Sequence, residues 1–195
     1  MLVVMALAEE SQGLFEQAGI PVTYCGVGKV NAAYALTREL ARYRCAGQQL
    51  PRVINFGSAG SRHHAAGKLL ACHEFVQRDM DVRGLGFARG ATPFDDLPAC
   101  LSFAPVFTEL PAAVCGTGDS FATADSEVAC EVLDMEAYAL AKICALERTQ
   151  FVCVKYLTDG ADHGAADDWR SNVHKAAGEF LRLFLSLQSQ ARSAD

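Results

Sequence analysis

Short apolar runs of strand character alternate with helical segments along this chain, and that alternation constrains the fold more than any other feature. "LVVMAL" (2–7), "PVTYCGVG" (21–28), "RVINFGSAG" (52–60), "KLLACHEFVQ" (68–77), "AAVCGTG" (112–118) and "FVCVKYLT" (151–158) read as strands. The third is expected to run into a loop of small residues. Between them, "KVNAAYALTRELARY" (29–43) is helical, with Val30, Ala33, Leu36 (or Thr37) and Leu40 at helical spacing. The tail from about Asp168 to Ser189 is also helical, with Val173, Ala177, Phe180, Leu181, Phe184 and Leu187 on one stripe. Strands alternating with helices imply an α/β fold: a largely parallel sheet covered by helices on both faces. With 195 residues, one domain over 1–195 is expected. The stretch Arg78–Pro111 departs from the pattern. It carries Gly84, Gly86, Gly90 and four prolines, and reads as a lid, binding loop or interface element, or as a surface loop.

Charge and cysteine usage narrow the function. A net charge of −6 argues against nucleic acid or an anionic membrane as main partner, since both attract a basic face. No apolar run approaches the roughly 20 residues of a membrane span. The start, "MLVVMALAEE", lacks a basic segment and reads as a first strand, not a signal peptide. The eight cysteines are scattered, with no CxxC pair, and most lie in apolar runs. They read as reduced core residues of a cytoplasmic protein, and no Cys/His spacing matches a zinc site.

Acids and glycines gather where strands end. In "EVLDMEAYALAKIC" (131–144), Asp134 suits the N-cap of a helix and Glu136 its first turn, where carboxylates satisfy free N–H groups. That explanation covers Glu136 less well, because "AYALAKICAL" is apolar almost all round and the helix is expected to be buried. The join of strand end and helix start is where open α/β sheets bind ligands. In "ALAEESQGLFEQAG" (6–19), Glu10 shares a helix face with Leu14 and Ala18 and faces the core, whereas Glu9 faces solvent. Glu10 reads as a general base or acid, or as an ordinary first-turn acid. Asp159 closes the most apolar strand, with Lys155 and Thr158 nearby; it also reads as a turn residue before Gly160. "FGSAGS" (56–61) and "CGTGDSFAT" (115–123) are small-residue runs that let backbone approach a ligand, yet neither matches GxGxxG or a P-loop.

"AEES", "GVGKVNAA", "INFGSAG", "GTGDSF", "LDMEAYALA" and "KYLTDGAD", in that order, resemble the nucleoside phosphorylase and nucleosidase superfamily. Within it the 5′-methylthioadenosine/S-adenosylhomocysteine nucleosidases resemble the chain most closely, over nearly its whole length. The resemblance implies a three-layer α/β fold with a twisted mixed sheet flanked by helices. It also implies a homodimer that hydrolyses adenine nucleosides without metal or organic cofactor. Residue by residue, it implies that Glu10 activates water and Asp159 protonates purine N7. Glu136 would hold the ribose hydroxyls, and Met135 would pack beside sugar and base. Ser58, Ala59 and Gly60 would supply backbone near the ribose and base. Phe121 would stack on the base, the Ala122 backbone would meet the adenine, Lys155 stands where relatives often have Arg, and Trp169 would cover the nucleoside. "RDMDVRGLGFARGATPFDD" matches only loosely, and Arg62-His63-His64 match no family feature. Two rivals remain at this point: a phosphate-dependent phosphorylase of the same superfamily, and a non-catalytic nucleoside-binding module on the same fold.

Overall fold

The computed structural model describes residues 1–123 and 126–193. Its strands are β1 (Leu2–Met5), β2 (Val22–Tyr24), β3 (Val53–Gly60), β4 (Leu69–Gln77), β5 (Cys100–Ser102), β6 (Ala112–Thr117), β7 (Val132–Asp134) and β8 (Phe151–Asp159). Its α-helices are α1 (Ala8–Ser11), α2 (Leu14–Gln17), α3 (Lys29–Cys45), α4 (Ala137–Glu147), α5 (Ala165–Asn172) and α6 (Ala177–Ser193).

The strands form one mixed sheet in the order β2-β1-β3-β7-β6-β4-β5, and β8 pairs with both β3 and β4. The β3–β8 pairing is parallel and the β4–β8 pairing antiparallel. Because β7 links β3 to β6 and β6 pairs with β4, the strands β3, β8, β4, β6 and β7 close into a ring. β8 shows how side chains sort between the faces. Phe151 and Cys153 join a core with Leu36, Leu40 and Leu140 of α3 and α4. Val152 and Val154 join Phe15, Phe180, Phe184 and Leu187, on and beside α2 and α6. That is the period of 2 expected of a strand buried on both sides. The sheet therefore lies between two helical layers, as the sequence implies.

Several local expectations need correction. The buried stripe of α3 is Ala32, Leu36 and Leu40, and Val30 is 78% exposed. Both sets have helical spacing and share Leu36 and Leu40, and the small Ala32 takes the buried position in the first turn. The helix expected through Glu10, Leu14 and Ala18 is broken: Gln12 (φ 51°) and Gly13 (φ 70°) turn left-handed and separate α1 from α2. Phe15, not Leu14, then enters the core. The tail starts earlier than expected and has a 3-10 turn over Val173–Ala176 between α5 and α6. Leu183 is buried there, whereas Leu181 is only partly so. β3 does not give way to a loop at Ser58–Gly60, because β8 pairs with it as far as Gly60 opposite Asp159. The Arg78–Pro111 stretch contains β5, antiparallel to β4 and too short to show alternation. All eight cysteines are free thiols, but Cys45 is exposed on the surface.

Candidate active site

The ends of β1, β3, β6, β7 and β8 converge on a cavity of about 300 Å³. It is lined by Glu10, Ser58, Ala59, Gly60, Phe121, Ala122, Met135, Glu136, Asp159 and Trp169. The structure thus brings together every site residue singled out in the sequence except Lys155. Lys155 is 1% exposed and lies beneath the cavity floor, bonded to Asp134.

Glu10 is buried by its hydrogen bonds and not by a helical stripe. Its Oε2 accepts from the Ala6 N–H (2.9 Å) and the Leu7 N–H (3.2 Å). Its Oε1 accepts from the Ser58 N–H (2.7 Å) and the Ser58 hydroxyl (2.8 Å). A Cβ on Gly57 would meet Glu10 Oε1 and Lys155 Nζ, each at 3.2 Å. The glycine lets both polar heads reach the β3 backbone.

Glu136 occupies the N-cap position of α4, one residue before the turn expected for it. Capping is done from further upstream: Asp134 Oδ2 accepts from the N–H groups of Glu136 (3.2 Å) and Ala137 (2.8 Å). The Glu136 side chain is thereby released toward the cavity, where its Oε1 accepts from the Gly28 N–H at 2.9 Å. Burial, with the Asp134 carboxylate next to it, pushes the Glu136 acid up to about 7, against the pull of Lys155 and the Gly28 N–H.

Asp159 ends β8, with Oδ1 accepting from the Ala161 N–H (2.9 Å) and Oδ2 from the Thr158 hydroxyl (2.8 Å). Burial raises its pKa above the ordinary carboxylate value; these two hydrogen bonds oppose the rise, and Asp168 and Asp162 add to it. Asp159 Oδ1 packs so closely on Gly60 that a Cβ there would lie 2.5 Å away. Glu10 and Asp159 therefore abut β3 at Gly57 and Gly60, three residues apart, which is about 10 Å of strand.

Phe121 stands at the mouth, 46% exposed, and Trp169 faces in from α5. Sequence reasoning missed Arg78, which follows β4 and also lines the cavity. Its guanidinium donates to the Ser120 carbonyl, to Ser120 Oγ (3.1 Å) and to Gly118 O (3.3 Å), pinning the segment that carries Phe121. The strand-end logic that picked out Asp159 applies equally to Arg78. Val27 and Arg170 at the rim had no such signal. Arg62 and His63 line a neighbouring concavity. Among the described residues no cluster of His, Cys, Asp and Glu could hold a metal ion, and no helix is long and apolar enough to cross a membrane.

No protein-family model matches the sequence. Curated relatives and solved structures do. The chain is 32% identical to a 5′-methylthioadenosine/S-adenosylhomocysteine nucleosidase of Geobacillus thermodenitrificans, over 98% of this chain and 88% of that protein. It is 31% identical to the nucleosidase of the same name from Geobacillus kaustophilus, over 95% of this chain and 86% of the relative. The structure is similar to that of the Neisseria meningitidis nucleosidase in complex with methylthio-immucillin-A. There the TM-score is 0.77 and the identity 25%, with 91% of this chain and 93% of the other covered. By sequence identity sustained over nearly its whole length, the chain belongs to the 5′-methylthioadenosine/S-adenosylhomocysteine nucleosidase family.

Proposed function

We propose that the protein hydrolyses the N-glycosidic bond of adenine nucleosides such as 5′-methylthioadenosine and S-adenosylhomocysteine, releasing adenine. The observation that carries this reading is the placement of Glu10 and Asp159 along one strand of the cavity wall, with Glu136 beside them. Asp159, its pKa raised by burial, donates a proton to N7 of the purine as the C1′–N9 bond breaks. The leaving base departs neutral. Water, oriented by Glu10, adds to C1′ of the oxocarbenium-like sugar and gives up its proton to that carboxylate. Protonation of the leaving group on one side and attack by water on the other follow inverting-glycosidase logic. Glu136 holds the ribose hydroxyls through charge-assisted hydrogen bonds that strengthen as the ring turns cationic. Met135 packs beside the sugar, and the backbone of Ser58, Ala59 and Gly60 flanks it. Phe121 stacks on the base, the Ala122 backbone meets its edge, and Trp169 covers the nucleoside. No metal or organic cofactor takes part in these steps. Incubation with 5′-methylthioadenosine and an assay for free adenine test the reading; no release would reject it.

The protein is further proposed to act as a cytoplasmic homodimer, free cysteines suiting a reducing compartment. Within the Arg78–Pro111 segment, Leu85 is 70% and Phe94 92% exposed, apolar area that a second copy would cover. A monodisperse monomer by light scattering, fully active at nanomolar concentration, would contradict this.

A further inference from the structure

Trp169 is the only tryptophan of the sequence. Its indole Nε1 donates to Ser58 Oγ at 3.1 Å. The Ser58 hydroxyl in turn donates to Glu10 Oε1 at 2.8 Å. A serine hydroxyl has one proton and two lone pairs, and an indole N–H can only donate. The chain Trp169 to Ser58 to Glu10 therefore runs in one direction, with the indole holding a lone pair of Oγ while its proton goes to the carboxylate.

The helix that carries Trp169 is anchored at the other carboxylate as well. One turn on, Asn172 Nδ2 donates to Thr158 O at 2.7 Å. The Thr158 hydroxyl donates to Asp159 Oδ2 at 2.8 Å. Residues three apart share a helix face, so α5 meets the polar surroundings of both carboxylates with a single face.

We propose that Trp169 is a positioning residue for Glu10, acting through the Ser58 hydroxyl. This rests on the reading of Glu10 as the group that orients water. Covering a nucleoside needs only aromatic area, which a phenylalanine also has; the N–H is what tryptophan adds. Without it the Ser58 hydroxyl can leave its present rotamer for other staggered wells. Glu10 Oε1 then keeps the Ser58 N–H but loses the hydroxyl in part of the population.

Because there is one tryptophan, biosynthetic incorporation of benzothienylalanine alters this position alone, replacing the N–H with sulfur in a side chain of nearly the same shape. With 5′-methylthioadenosine, this protein and Trp169→Phe are expected to lose about tenfold in kcat while KM stays within about twofold. In a Ser58→Ala background Trp169→Phe should have no further effect. In protein labelled with ¹⁵N-tryptophan, the single indole N–H resonance should move upfield on Ser58→Ala, a readout independent of activity. The inference is overturned if the analogue protein keeps kcat within about twofold of wild type. It is equally overturned if Trp169→Phe costs the same factor with and without Ser58, or if the indole resonance does not move. Wild-type protein that releases no adenine sinks the reading of Glu10 and the inference together. Wild-type turnover that the loss of the N–H leaves intact sinks the inference alone.

Discussion

Lys155 Nζ stands 2.8 Å from Asp134 Oδ2 beneath the cavity, with the two side chains 1% and 0% exposed. Asp134 also accepts from the Thr117 hydroxyl at 2.5 Å and from the first N–H groups of α4. Burial pushes the Asp134 acid up, but Lys155 and these donors outweigh it and hold the acid below its ordinary range. Burial likewise pulls Lys155 down, and Asp134 outweighs it and keeps the amine well above its usual value. A buried pair of this kind offsets its desolvation cost only through good geometry and added hydrogen bonds, and Asp134 has both.

Removing one partner is therefore expected to cost far more than removing both. Lys155→Met should lose roughly 3–5 kcal/mol of unfolding free energy in urea melts at neutral pH, because it strands a buried carboxylate. Asp134→Asn combined with Lys155→Met should recover part of it. The contribution of Asp134 is present above its unfolded pKa and lost as pH falls through its lower folded value. That of Lys155 is present below its unfolded pKa and lost as pH rises through its higher folded value. Between those limits the pair's own contribution to stability should not change with pH, whereas Glu136, its acid raised to about 7, should lower wild-type stability as pH rises toward that value. A Lys155→Met protein as stable as wild type would contradict the account.

Asp159→Asn should leave the fold intact and lower kcat for 5′-methylthioadenosine by about 10²–10⁴, the usual contribution of a general acid. Asn still hydrogen-bonds to the base but delivers no proton, so KM should change less than kcat. A kcat within about threefold of wild type, beside an unchanged thermal melt, would reduce Asp159 to the turn residue it also resembles in sequence.

Gly60→Ala tests the same residue without touching its charge. The new Cβ would lie 2.5 Å from Asp159 Oδ1 and 3.2 Å from the Ala161 Cβ, so the carboxyl must move. Displacement of a reacting group by about 1 Å can cost about 10² in rate, and kcat is expected to fall by that order. Unchanged kinetics would mean that Asp159 has no fixed position to keep.

Glu136 should make nucleoside binding depend on pH. Burial, with Asp134 next to it, pushes its acid up to about 7. Below that value it is mainly protonated and, in the proposed role, loses the charge that would strengthen a hold on the ribose hydroxyls. The Kd of a non-hydrolysable nucleoside analogue should therefore rise as pH falls from 8 to 6. Glu136→Gln should bind more weakly and lose the dependence, and a flat wild-type profile would contradict this.

Most strands were legible because β8 and its neighbours are short, nearly continuous apolar runs, as strands buried on both faces are. The candidate site was legible because Glu10, Glu136 and Asp159 sit where those runs stop; β5, three residues inside the irregular Arg78–Pro111 stretch, offered no such run. What was not legible depends on partners distant in the chain. Lys155 reads as a candidate ligand until its tertiary partner Asp134 is known. The "FGSAG" run reads as a loop until β8 supplies its hydrogen bonds. Glu10 reads as a helical acid facing the core, whereas it is held by its own upstream N–H groups and by Ser58 across the sheet. Periodicity reports which face is apolar; it does not report which polar group meets which.

Hydrolysis, as opposed to phosphorolysis, is most directly tested by following 5′-methylthioadenosine with and without inorganic phosphate and identifying the sugar released. A phosphate dianion beside the Glu10 carboxylate would be repelled by several kcal/mol at short range in a site of intermediate dielectric, on the order of what Coulomb's law gives there. The account predicts free adenine and unphosphorylated methylthioribose, formed at the same rate whether or not phosphate is added. Turnover that requires phosphate and yields a sugar 1-phosphate would contradict it.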